Sequence, residues 1–172
     1  MKKILLAFLI LIVFSACEKN EAENIAKKTT VEEIKQNPAF FDFMDGYNSF
    51  NISQSLVQEI KNEFIPDKHS FLIYAEPNCF CGSDYLKFPA FIKVLDSADI
   101  SSDYYQIFIV KNADAKHPYS NIFKLNNTPA LIILKEGKFI YSVSDTLKKY
   151  YNFIDEPNKL EEVLLEGLQQ QP

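Results

Sequence analysis

With 172 residues, the chain is long enough for one domain and a short extension. An apolar fraction of 47% and an aromatic fraction of 14% call for a hydrophobic core, while four glycines and no tryptophan exclude collagen-like, propeller and low-complexity classes. All 18 basic residues are lysines, so no guanidinium fork is available for phosphate, and a net charge of −5 disfavours nucleic acid as a partner.

The amino terminus reads as an export signal rather than as fold. Lys2 and Lys3 precede the apolar run LLAFLILIVF (Leu5 to Phe14), whose ten residues fall short of the roughly 20 a membrane-spanning helix needs. Phe14-Ser15-Ala16-Cys17 follows and resembles the lipobox of bacterial lipoproteins, which makes Cys17 the expected lipidation site and first mature residue. Loss of Lys2 and Lys3 leaves 16 lysines against 23 acids, a mature charge of −7. The polar stretch EKNEAENIAKK then reads as a flexible tether.

Thr30-Val31-Glu32-Glu33 is a capping box opening a short helix, which Pro38 interrupts and restarts. The apolar cluster of Phe40, Phe41, Phe43 and Met44 is expected to pack across the main domain. Leu56, Val57, Ile60 and Phe64 give Ser53 to Phe64 the spacing of an amphipathic helix, ended by Pro66. SFLIYA (Ser70 to Ala75) is a buried strand, Asp84 to Leu95 a helix, and YYQIFIV (Tyr104 to Val110) a second strand. YSNIFKL (Tyr119 to Leu125) reads as a short helix. PALIILK (Pro129 to Lys135) and KFIYSV (Lys138 to Val143) form a hairpin through Glu136-Gly137, and Leu160 to Leu168 closes the chain as a helix. A strand-helix-strand half followed by a hairpin and a last helix predicts an α/β fold with a mixed central sheet flanked by helices.

The residues at the junctions carry a resemblance. Phe80-Cys81-Gly82-Ser83-Asp84 resembles the Trp-Cys-Gly-Pro-Cys motif of the thioredoxin superfamily at the aromatic, the first cysteine and the glycine, and departs at the last two positions. Pro89 lies where thioredoxins carry the proline that kinks the active-site helix, and Asn127-Thr128-Pro129-Ala130 resembles the family's Thr-Pro turn. The resemblance implies a thioredoxin-like fold over roughly Ser53 to Leu168 with a cis Pro129 whose loop faces the reactive sulfur. The division that follows is a signal peptide (1–16), lipidated Cys17 and tether (17–30), helical extension (31–50) and thioredoxin-like domain (51–172).

By that alignment Cys81 is the nucleophile, its thiolate stabilised at a helix amino end. Asp84 takes the place of the usual resolving cysteine and opposes thiolate formation through its negative charge. Cys79 is the remaining intramolecular thiol, and a disulfide between residues one apart is strained and labile. Three readings of Cys79 and Cys81 stand side by side. The first is thiol-disulfide exchange with exported proteins and a further redox partner, with Phe80, Thr128 and Pro129 forming the docking surface. The second is a redox-inactive scaffold or binding lipoprotein, and the third a metal site completed by a histidine. The first needs no cofactor. His69 and His117 are both expected at the surface, which leaves no assigned metal ligand, and Glu76 is expected as an exposed loop carboxylate and Tyr74 as core. The resulting location is the bacterial cell envelope, lipid-anchored and facing the periplasm or the exterior.

Overall fold

The computed structural model describes residues 24–77, 87–150, 156 and 159–171. Its framework is a five-stranded mixed sheet flanked by helices, an α/β architecture. The strands are β1 (Lys27–Thr29), β2 (His69–Ala75), β3 (Tyr105–Ile109), β4 (Ala130–Lys135) and β5 (Lys138–Ser142), in the order β1-β3-β2-β4-β5. β2 runs parallel to β3 and antiparallel to β4. β1 and β5 close the two edges with antiparallel pairings.

Apolar content and central position go together. β2 and β4 are buried on both faces and read as continuous apolar runs, as strands without a wet face do. Alternate residues serve opposite cores. Phe71, Ile73, Leu131 and Ile133 point to one side, and Leu72, Tyr74, Ile132 and Leu134 to the other.

The helices are α1 (Val31–Gln36), α2 (Phe43–Ser49), α3 (Gln54–Glu63), α4 (Lys87–Ser97), α5 (Val143–Leu147) and α6 (Lys159–Leu168). They gather on the first face, where Ile60 of α3, Phe91 of α4 and Leu164 of α6 join one core. α1 starts at the predicted capping box: Thr30 Oγ1 accepts from the Glu33 N–H at 3.2 Å and Glu33 Oε2 accepts from the Thr30 N–H at 3.0 Å. Asn37 ends α1, and Pro38 opens one 3₁₀ turn, Pro38–Phe40. Phe40 and Phe43 then set their rings 5.8 and 5.3 Å from Phe88, which ties α2 to α4.

The second face carries no helix among the described residues. It is closed by the connection 111–129, whose Ala115, Phe123 and Leu125 cover Tyr74, Phe108 and Ile132. The short helix expected at Tyr119–Leu125 is a run of turns there. Ser120 explains the difference: its hydroxyl accepts from the His117 N–H at 3.1 Å and donates to the His117 carbonyl at 2.7 Å, a local exchange that competes with helical pairing.

Two further places differ from expectation. Lys27–Thr29, read as the end of a tether, is strand β1, paired with Ile107 to Ile109. Just before it, the Ala26 N–H donates to Lys116 O at 2.9 Å and the Lys116 N–H to Asn24 O at 2.8 Å. The last strand stops at Ser142 because the Ser142 hydroxyl accepts from the Asp145 N–H and opens α5. β4 and β5 are joined as predicted, with positive φ at both Glu136 (52°) and Gly137 (75°), the conformation of a tight hairpin turn. Among the described residues no helix is long and apolar enough to cross a membrane.

Candidate functional site

Chemistry-bearing side chains converge at the carboxyl end of β2. Glu76 leaves that strand half-buried and accepts a short hydrogen bond from the Thr128 hydroxyl, across 52 residues of sequence. The expectation of an exposed loop carboxylate is therefore corrected: Glu76 is a fixed partner of the Thr128-Pro129 turn. The Thr128–Pro129 peptide bond is cis.

Two more clamps hold the same turn. Asp145 accepts from the Asn126 side-chain amide at 2.8 Å and from that of Asn127 at 2.5 Å. Ser144, buried, accepts from the Leu131 N–H at 2.7 Å. Both residues come from α5, which β5 delivers to the head of β4. The signal for them was present as Ser142-Val143-Ser144-Asp145, a capping pattern that a strand reading hides.

Beside the turn lies a cavity of about 110 Å³. Asn127, Thr128 and Pro129 form one wall, Phe91 and Leu147 supply apolar surface, and Ser144, Lys87 and Lys148 also line it. Among the described residues no carboxylate lines it. Lys87 is the first described residue of α4, and Pro77 is the last described residue after β2. The Thr128-Pro129 turn thus stands beside both ends of the segment 78–86.

That segment contains Cys79, Phe80, Cys81 and Asp84, which lie outside the described residues, as do Cys17 and the signal run. The expected start of the active-site helix at Asp84 to Leu86 lies outside them too, and α4 is described from Lys87 with Pro89 in its first turn. Of the predicted site residues, Thr128 and Pro129 are brought together with Glu76.

The histidines sit elsewhere, His69 buried and His117 half-buried. His69 is 2% exposed at the start of β2, the end opposite Glu76, and its Nδ1 accepts from the Ile65 N–H at 3.1 Å. Burial, reinforced by the charge of Lys135, holds its pKa below the ordinary value. His117 is half-buried on the second face, its Nδ1 sharing a 3.0 Å hydrogen bond with Tyr74 Oη. Burial lowers the His117 pKa and raises that of Tyr74, a core residue as expected. Among the described residues no three His, Cys, Asp or Glu side chains are grouped to hold a metal ion.

A larger groove of about 830 Å³ lies at the other end of α4, between α1 and β3. Three of the four acids that line it have partners: Asp96 accepts from Tyr47 Oη at 2.9 Å, Asp99 pairs with Lys61, and Asp103 accepts from Ser101 at 3.2 Å. The chain matches no family model, no curated protein and no solved structure.

Proposed function

We propose that the chain is a lipid-anchored protein of the bacterial cell envelope with a thioredoxin-like fold, exchanging thiols and disulfides with exported proteins. The observation that carries this reading is the contact between Thr128 and Glu76. It fixes the Thr128-Pro129 turn beside Pro77 and the Lys87 cavity, the two points between which the chain carries Cys79 and Cys81. Side chains clamped from both sides of a loop suit a docking surface, because binding then spends little on ordering it.

In the proposed reaction the Cys81 thiolate attacks one sulfur of a substrate disulfide. A Cys81–substrate disulfide forms and the other substrate sulfur leaves as a thiolate. The Cys79 thiolate next attacks Cys81 Sγ and releases the second substrate thiolate. The substrate gains two electrons and the protein keeps a Cys79–Cys81 disulfide, which a dithiol of an exported redox partner returns to the reduced state. Phe80, Thr128 and Pro129 seat the substrate chain. Asp84 keeps the Cys81 thiol less acidic than a helix amino end alone would make it, and a bond across one intervening residue is strained and readily exchanged. Isomerisation of exported disulfides fits this poise better than strong reduction.

The test is thiol trapping of the full-length protein across a series of redox potentials, read by mass spectrometry. A reversible intramolecular Cys79–Cys81 bond is expected, and Cys79→Ser should instead accumulate mixed disulfide on Cys81. Two thiols that stay reduced throughout and alkylate slowly overturn the reading.

A further inference from the structure

We infer that the end of the sheet carrying the Thr128-Pro129 turn is the end held towards the membrane, so that its partners are segments of other membrane-held proteins lying close to the bilayer surface. The inference rests on the proposed reading for the anchor at Cys17 and for the turn as docking surface; it does not depend on sulfur chemistry.

Strand register puts the amino-terminal strand and the turn on one row. Lys28 of β1 pairs with Phe108, Phe108 with Tyr74, and Tyr74 with Ala130, the residue after Pro129. Three strand spacings of about 4.8 Å separate β1 from β4, so roughly 14 Å lies between them. One residue further out, Lys27 pairs with Ile109 and Ile109 with Ala75, which precedes Glu76. The chain therefore enters β1 from the end of the sheet where Glu76 meets Thr128.

The residues just before β1 are fastened at that same end. The Asn24 side-chain amide donates to Asn112 Oδ1 at 2.7 Å, and Asn24 Oδ1 accepts from the Lys111 N–H at 3.4 Å. Ile25 forms a bridge with Lys116. Lys111 follows Val110, whose N–H donates to Ala75 O at 3.0 Å, so Asn24 is held just past the carboxyl end of β3.

Reach then sets the height above the membrane. Cys17 lies seven residues before Asn24, and seven residues span at most about 25 Å however they run. A lipid on Cys17 keeps the Thr128-Pro129 turn within a distance on the order of 40 Å from the bilayer. The opposite end of the sheet, where His69 pairs with Lys135, lies about 20 Å further along the strands. Lys135 Nζ donates there to Gln170 O at 3.3 Å, so the carboxyl-terminal residues leave from the other end. A short link between surface and site raises the effective concentration of partners on the same membrane and does nothing for partners in free solution. Thiols and disulfides in the membrane-adjacent segments of anchored exported proteins match that placement.

The experiment compares two anchorings of the mature chain on vesicles of phosphatidylcholine, a nickel-chelating lipid and a headgroup-labelled acceptor lipid. One is the lipidated protein; the other is Cys17→Ala with a carboxyl-terminal hexahistidine tail. A donor dye is placed through an azide-bearing residue at position 148, beside the turn, or at position 138, in the hairpin at the far end, where both lysines are exposed. Energy transfer is expected to be stronger from position 148 than from position 138 in the native anchoring, and the order should reverse in the other. A disulfide-bonded peptide is then offered either free or with a palmitoyl chain that holds it on the same vesicles. With the native anchoring, exchange should be on the order of 100-fold faster with the palmitoylated peptide, and relocating the anchor should lower this ratio about tenfold. Equal or reversed energy transfer in the native anchoring, equal exchange with the two peptides, or a ratio unmoved by relocating the anchor overturns the inference. Recovery of the wild-type chain without lipid removes the anchor and the inference with it. A protein that holds position 148 nearer the lipid yet exchanges with neither peptide keeps its membrane-facing end and loses the exchange chemistry, whereas exchange with position 138 nearer the lipid does the reverse.

Discussion

Thr128 and Glu76 show how much one side-chain pair organises here. The carboxylate is half-buried, so losing its donor leaves it short of a partner rather than simply returning it to water. Thr128→Val keeps the shape and removes the hydroxyl. It should cost about 1–3 kcal/mol in urea unfolding, as expected for a hydrogen bond to a charged acceptor. An unshifted midpoint would show that the pair contributes nothing. Glu161, in the first turn of α6, is a second residue whose environment decides its behaviour. It is 0% exposed; Oε1 accepts from the Ser53 N–H at 2.9 Å and Oε2 has no hydrogen-bond partner among the described residues. Burial raises its pKa above the ordinary 4.5, with the Ser53 bond opposing the shift. Between 4.5 and the raised value the folded protein holds a proton that the unfolded chain has released. The contribution of Glu161 to stability is therefore greatest below 4.5 and is lost as pH rises through the folded value. Glu161→Gln should remove that component. The difference between wild-type and variant unfolding free energies should change with pH across this window, and parallel curves would refute the assignment.

Among the elements, α6 depends on one missing side chain. A Cβ at Gly167 would stand 2.6 Å from both Ile133 Cδ1 and Tyr141 Cδ1, so the glycine lets α6 lie close over β4 and β5. Alanine there gains roughly 1 kcal/mol of helix propensity. It also forces a buried isoleucine and a tyrosine ring to move, which typically costs about 1–3 kcal/mol. Overpacking should win, and Gly167→Ala should lower the melting temperature by a few degrees; a higher value would mean that the ring yields freely. Helices, strands and the hairpin could be read in the chain because each carried a local pattern: the capping box at Thr30, the apolar run of β2, the Glu136-Gly137 turn. β1 could not. Lys-Lys-Thr has no apolar alternation, and its pairing with β3 is made by backbone groups that every residue possesses.

For the whole molecule, the proposed lipid anchor at Cys17 is testable apart from the chemistry. Cys17→Ala should abolish acyl labelling and shift the protein from the membrane to the soluble fraction. A variant that still partitions with membranes refutes the anchor. The fold also sets what lies far from the proposed docking surface. The groove between α1 and β3 is separated from Pro129 by α4, 11 residues or about 16 Å of helix. The two histidines occupy the far end and the second face of the sheet.

Periodicity, caps and turn residues determined by themselves the α/β class, helices α1, α3, α4 and α6 and four of the five strands, because these signals are written within a few neighbouring residues, whereas the Thr128-Pro129 turn was singled out by a family resemblance. Tertiary structure decided the rest. Glu76 became a loop clamp, His69 went inside, His117 joined Tyr74 half-buried, and Lys87, Ser144 and Lys148 came to share one cavity. Each outcome depends on partners tens of residues away in the chain. Whether a polar side chain is solvated or held depends on what the sheet brings against it, and no local pattern records that.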